Sequence, residues 1–134
     1  MNRSSSDQNY PQPPFIKAEV FMPDGLVLGE ANLVSDTATI TGGVVLPRGT
    51  VLGRTRSGAY RAAVASATDG SQHPSAILAV YTDASAGDVE SGIYLQGEFD
   101  GDALTLDPSI PLPVAQYALR LLLIYVQSAA IPAA

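Results

Sequence analysis

The sequence predicts a mainly β fold, formally α+β, with one helix near the C-terminus. Three stretches predict it. Val89 to Phe99 alternates along its length: Val89, Ile93, Leu95 and Phe99 fall on one face, and Glu90, Tyr94, Gln96 and Glu98 on the other. That is the pattern of a strand with one buried and one wetter face. Ala76-Ile77-Leu78-Ala79-Val80-Tyr81 is apolar on both faces, as in a strand covered on both sides. Only Pro113 to Gln127 carries a convincing helical period.

Taken in order, residues 1–14 are polar and end in Tyr10-Pro11-Gln12-Pro13-Pro14. A segment with so little apolar surface cannot offset its ordering entropy, so it is expected to be an extended arm separate from a body spanning 15–134. Phe15 to Met22 and Leu26 to Glu30 flank Pro23-Asp24-Gly25, a turn signal, and predict a first β-ribbon. Thr37 to Thr41 is β-branched and alternating, closed by Gly42-Gly43. Pro47-Arg48-Gly49 predicts a tight turn, because proline presets φ and glycine tolerates φ > 0. Val51 to Arg56 then alternates as a strand and turns at Ser57-Gly58. Ala62 to Pro74 is expected to be a long loop, with a brief strand at Ala63 to Ala65 and a turn at Asp69-Gly70-Ser71. Thr82 to Asp88 is expected to be a small-residue loop.

The helix expected over Pro113 to Gln127 has its main stripe at Leu112, Ala115, Leu119, Leu122 and Val126, with proline tolerated in the first turn. Ala118, Leu121 and Tyr125 are apolar too, and only Gln116, Arg120 and Gln127 interrupt the collar. A helix apolar almost all round is buried in its domain or between subunits. In a body this small the expectation is partial burial between subunits, through Leu119, Leu122 and Tyr125.

The 134 residues fit one domain, large enough to build a core without staples. The absence of cysteine excludes disulfides and thiolate metal sites, and fits synthesis in a reducing cytoplasm. Thirteen acidic against seven basic residues give a formal charge of -6, which argues against direct nucleic-acid binding. The first residues lack the apolar stretch of a signal peptide. The longest apolar run, Ala118 to Val126, contains Arg120 and is too short to cross a bilayer, so no membrane partner is expected.

Catalytic signatures are missing. The chain has no Gly-x-Ser-x-Gly, no phosphate-binding Walker loop and no paired metal-binding histidines. His73, the one histidine, sits in a loop with no partner placed by sequence. Asp100-Gly101-Asp102 has the alternating oxygens of a calcium loop but lacks the downstream ligands, and reads as a turn. No catalytic residue, metal or cofactor is expected.

Pro23-Asp24-Gly25-Leu26-Val27-Leu28-Gly29-Glu30 and Leu46-Pro47-Arg48-Gly49-Thr50-Val51-Leu52-Gly53 are followed by Gly58-Ala59-Tyr60, Ser75-Ala76-Ile77-Leu78-Ala79, Gly87-Asp88-Val89, and Gly97 through Ala103-Leu104. In this order and spacing, over roughly residues 20 to 126, the chain resembles the lambda-like bacteriophage head decoration proteins. Ser75-Ala76 departs from the family's glycine before Ile-Leu-Ala, and Gly25 replaces a frequent asparagine. The resemblance implies a small β-clip domain of bent β-ribbons. It implies a capsid-stabilising protein seated as homotrimers at three-fold positions of the expanded head, on its outer surface, tied to the major capsid protein. It also implies that the N-terminal arm reaches the shell, with Tyr10, Pro11, Pro13, Pro14 and Phe15 as its docking residues. Two other readings stay open: a trimeric nucleotide hydrolase on the same β-clip, since fold does not imply function, and a virion display or carbohydrate-binding module.

Overall fold

The computed structural model describes residues 24–127, so residues 1–23, with the arm positions Tyr10 to Phe15 and the expected strand Phe15 to Met22, lie outside the described residues. The fold is mainly β. Its strands are β1 (Val27–Ile40), β2 (Val45–Leu46), β3 (Val51–Arg54), β4 (Tyr60–Ala62), β5 (Pro74–Leu78), β6 (Thr82–Asp83), β7 (Val89–Asp100) and β8 (Ile124–Gln127), with one helix, α1 (Leu112–Arg120). A short 3-10 turn, Gly101–Ala103, follows β7.

The main sheet runs β1-β4-β3-β5-β7-β8, and β1 also pairs with β7. Five strands therefore close a ring, and β8 extends one edge of β7 in parallel, with Gly97↔Ile124 through Asp100↔Gln127 in register. Closure removes most exposed strand edge, the usual hazard of a small β protein. β8 is guarded separately, because the Gln116 side-chain amide donates to the Val126 carbonyl at 2.6 Å. β2 and β6 form a small ribbon of their own.

The longest ribbon is β1 with β7. The expected separate strands at Leu26 to Glu30 and Thr37 to Thr41 are two ends of the one strand β1, bent where its register against β7 shifts between Val27 and Ser35. Asn32 takes up the bend at φ 63, a conformation asparagine tolerates better than most residues. On β7 the register passes over Leu95, between Tyr94 and Gln96, and Gly97 just beyond it adopts φ 149. One inserted residue reverses the parity of everything beyond it. Phe99 is thereby brought to the face of Tyr94, with ring centroids 5.2 Å apart.

β3, β5 and β7 are buried on both faces, and their alternate residues feed two cores. Val51, Ile77, Tyr94 and Phe99 pack with Ala115, Leu119, Ile124 and Val126 under α1 and β8. Leu52, Ala76, Leu78 and Ile93 pack with Ile40, Leu46 and Ala84 on the opposite face. The apolar run of β5 is thus covered on both sides as its composition predicts, although Tyr81 beyond it is exposed. Tyr94 corrects the alternation read along β7. It is fully buried rather than wet, because α1 and the segment before it cover that face and Arg48 offers its hydroxyl a partner.

Three further expectations differ from the structure. Ala63 to Ala65 is not a strand; β4 ends at Ala62, and Ala63 and Ala65 are tied instead to the Val51 carbonyl and the Ser109 hydroxyl. Thr82–Asp83 is not loop but β6, where Thr82 shares a hydrogen bond of 2.7 Å with Ser91. The helix stops at Arg120 rather than Gln127. Leu123 swings to φ 68, and Ile124, Tyr125, Val126 and Gln127 alternate buried and exposed as β8. β-branched and aromatic side chains fit a pleated surface well, and a free edge of β7 was there to receive them.

Candidate functional site

Two features stand out: a buried arginine that gathers four oxygens around its guanidinium, and an apolar face of α1 left bare.

Arg48 sits at the tip of Pro47-Arg48-Gly49-Thr50. The turn is pinned from several sides. Thr50 returns both its N–H (3.2 Å) and its hydroxyl (2.7 Å) to the Pro47 carbonyl, and Gly49 N–H donates to Leu78 O at 2.8 Å. Gly49 adopts φ 94, as the sequence predicts, and a Cβ there would lie 2.6 Å from Ala103 O. From this support the Arg48 side chain, only 8% exposed, reaches four oxygens. Nη1 donates to Ala79 O (2.7 Å) and to the Tyr94 hydroxyl (3.0 Å), and the guanidinium lies 5.7 Å from the Tyr94 ring centroid. Nε donates to Asp24 Oδ2 at 2.7 Å, with Nη2 at 3.4 Å from Oδ1.

The electrostatics follow from this geometry. The hydrogen bond from Arg48 holds the Asp24 carboxyl below its ordinary value, outweighing partial burial, and the Leu26 N–H adds to the effect. Burial opposes the charge on Arg48, but the bonds to Asp24 and Tyr94 raise its pKa on balance. A buried guanidinium is tolerated only when so fully partnered.

The second feature is on α1. Ala115 and Leu119 are fully buried against the sheet, whereas Val114, Tyr117 and Leu121, spaced i, i+3, i+7, are 56%, 62% and 68% exposed. Leu122, Leu123 and Tyr125 extend the exposed surface. Leu123 is unusual twice over. Two residues past the Leu121 C-cap it takes a left-handed conformation, for which glycine is the usual residue, and it is half exposed. A bulky side chain held at positive φ without being buried is poorly explained by folding needs.

Of the three residues expected between subunits, Leu119 packs into the chain's own core, while Leu122 and Tyr125 stay on the open face. Sequence reasoning put Leu121 in the apolar collar but did not single out Val114, Tyr117 or Leu123; the i, i+3, i+7 spacing of Val114, Tyr117 and Leu121 was the available signal. It also missed that Asp24 and Arg48 pair, although both belong to the segments that carried the family resemblance. His73 is an exposed loop residue whose N–H bonds Gly70 O. Asp100 accepts the Asp102 N–H at 2.9 Å, as a turn requires. A cavity of about 360 Å³ opens beside β8, lined by Glu98, Gln116, Arg120, Tyr125, Val126 and Gln127. Among the described residues no group of three or more His, Cys, Asp or Glu could hold a metal ion, and no helix is long and apolar enough to cross a membrane.

A small closed β body with a bare apolar helix face has the character of an assembly protein. Comparison with known families makes this specific: the family model for the bacteriophage lambda head decoration protein D matches residues 16–122. The chain belongs to the bacteriophage head decoration proteins, structural components of the virion capsid. No curated protein matches it individually.

Proposed function

We propose that the chain stabilises the expanded phage head by sitting on its outer surface as homotrimers at three-fold positions, each clamping neighbouring major capsid protein subunits against the pressure of packaged DNA. Family membership supports the capsid as partner. The observation that carries self-association is the exposed face Val114, Tyr117, Leu121, Leu122 and Leu123, with Tyr125 at its border. Several large apolar side chains exposed together on a small protein mark a surface meant to be covered.

Residues 1–14, with Phe15, act as the docking arm, with Tyr10, Pro11, Pro13 and Pro14 in the stretch nearest the body. Prolines in that stretch lack N–H donors, so strand addition to a capsid sheet is favoured over Asn2 to Asn9, where main-chain bonds give the affinity. Three arms acting together recover the affinity that each loses on ordering. The role is mechanical, not catalytic, and the protein is made in the host cytoplasm before it joins the head.

Deletion of residues 2 to 14 tests the arm. Circular dichroism of the truncated chain should match the full chain, while binding to expanded, undecorated heads should fall sharply. Undiminished binding would move docking onto the body.

A further inference from the structure

We infer that the bare face of α1 is received, in the neighbouring copy of the chain, by the outer face of the β2–β6 ribbon, where Val44, Val45 and Tyr81 are exposed. The inference rests on the self-association reading above and names the second half of that contact. A second half is required. A three-fold ring is built from heterologous contacts, in which each copy offers two different patches, whereas one patch meeting itself gives a two-fold dimer.

The ribbon supplies the second patch through its own pleat. Val45 pairs with Asp83 and Leu46 with Thr82, and the Ala84 N–H donates to the Val44 carbonyl at 3.0 Å. Leu46, Thr82 and Ala84 are buried, Leu46 and Ala84 against Leu52, Leu78 and Ile93. Alternation therefore turns Val45, Asp83 and Tyr81 outward. Asp83 stands opposite Val45, and Tyr81 is its diagonal neighbour on the same face. Tyr81 is 66% exposed, with Val44 and Val45 at 45% and 43%. Among the described residues the Tyr81 hydroxyl has no hydrogen-bond partner. A tyrosine held out in water by a two-stranded ribbon contributes little to the fold, and is the kind of side chain that interfaces use as an anchor.

Charge and placement match the two patches. Arg120 ends α1 one turn beyond Tyr117, with its guanidinium 6.0 Å from that ring's centroid. It is the one Lys or Arg between residues 62 and 127, so a carboxylate arriving on this helix meets a single cation. Asp83 provides such a carboxylate. Its Oδ1 accepts both the N–H and the hydroxyl of Ser85, which leaves Oδ2 for a partner. The core beneath the ribbon draws on all five strands of the ring and so lies inside it, whereas α1 covers Ile77 and Tyr94 on the outer side. The two bare faces therefore lie on separate sides of the body, and one copy presents both at once, as each member of a ring must.

The absence of cysteine makes the contact directly readable. Full-length copies carrying Tyr81→Cys and copies carrying Tyr117→Cys are placed on undecorated expanded heads, separately and mixed, and treated with a short bismaleimide. The mixture should give crosslinked pairs that join the two substituted positions, and either variant alone should give few. Tyr81→Ser should keep the circular dichroism of the parent and weaken head decoration about five- to thirtyfold. Pairs formed as readily by Tyr117→Cys alone would mean that the α1 faces meet one another. Crosslinks from Tyr81→Cys only to the major capsid protein would mean that the ribbon docks on the shell. Either result, or full-strength decoration by Tyr81→Ser, or three-fold clusters with no crosslink in the mixture, would overturn the inference and leave self-association standing. Single copies on the head would instead overturn the self-association reading, and the inference with it.

Discussion

Asp24 and Arg48 meet at 2.7 Å, joining two turns that lie 24 residues apart in sequence. The pair matters less as an isolated salt bridge, since half-exposed ion pairs contribute little, than as the visible end of a buried network. Replacing the arginine removes the cation that the Tyr94 hydroxyl and Ala79 carbonyl face. Arg48→Met should therefore destabilise the chain by about 1–3 kcal/mol, the usual cost of losing buried hydrogen bonds to a charged donor. Arg48→Lys should recover only part, because an ammonium cannot reproduce the fork. Urea denaturation of both variants checks this; equal stability of Arg48→Met and the parent would contradict it.

Gly53, in the middle of β3, has no room for a side chain: a Cβ there would run into the backbone of Ser71, itself fully buried. Backbone cannot rotate aside as a side chain can. Gly53→Ala should destabilise by at least the ~1–3 kcal/mol typical of overpacking. Gly29→Ala, which meets nothing within 4 Å, is the matched control and should change stability far less. Thermal melts of the two variants decide it.

Leu123 offers a test of folding and of the proposed assembly in one substitution. At φ 68 a leucine is strained by roughly 1–2 kcal/mol relative to glycine. Leu123→Gly should therefore leave the melting temperature unchanged or raised. The same change removes an exposed apolar side chain from the bare face of α1, so association of copies on the head should weaken. A variant that melts lower and still decorates heads at full strength would contradict the assignment of this face.

Acid should destabilise the protein through a small set of carboxylates. The Asp24 carboxyl is held low by Arg48, and those of Asp69, Asp83 and Asp107 by the hydroxyls of Ser71, Ser85 and Ser109. Each has a folded pKa below its unfolded value of about 3.9. Their contribution is therefore complete above that pH and is lost as pH falls through the folded values. The denaturation midpoint should be level through neutral and mildly acid pH and drop below about pH 4. Asp24→Asn should flatten part of that drop, and added salt should shrink the Asp24 share, because the carboxylate is partly exposed.

Much of the fold was legible because its elements have strong local patterns. Gly49 and Gly25 supply positive φ where turns were expected, and the run Ala76 to Leu78 is buried on both faces. The misses have a common physical cause, which is tertiary pairing that local pattern does not carry. Ile124 to Gln127 continues a helical stripe in sequence, yet becomes a strand because β7 has an edge to fill. Tyr94 reads as wet until α1 and Arg48 cover it. The bare face of α1 was half legible: the collar of apolar residues was plain, but not which side the sheet would take. That partition placed Leu119 inside and left Tyr117 and Leu121 open.

The central claim is that the open face of α1 joins copies of the chain on the head. A cryo-electron microscopy map of heads decorated with this protein tests it directly. The account predicts three-fold clusters whose subunits meet at Val114, Tyr117 and Leu121 to Leu123. Isolated single copies, or trimers with that face turned to solvent, would contradict it.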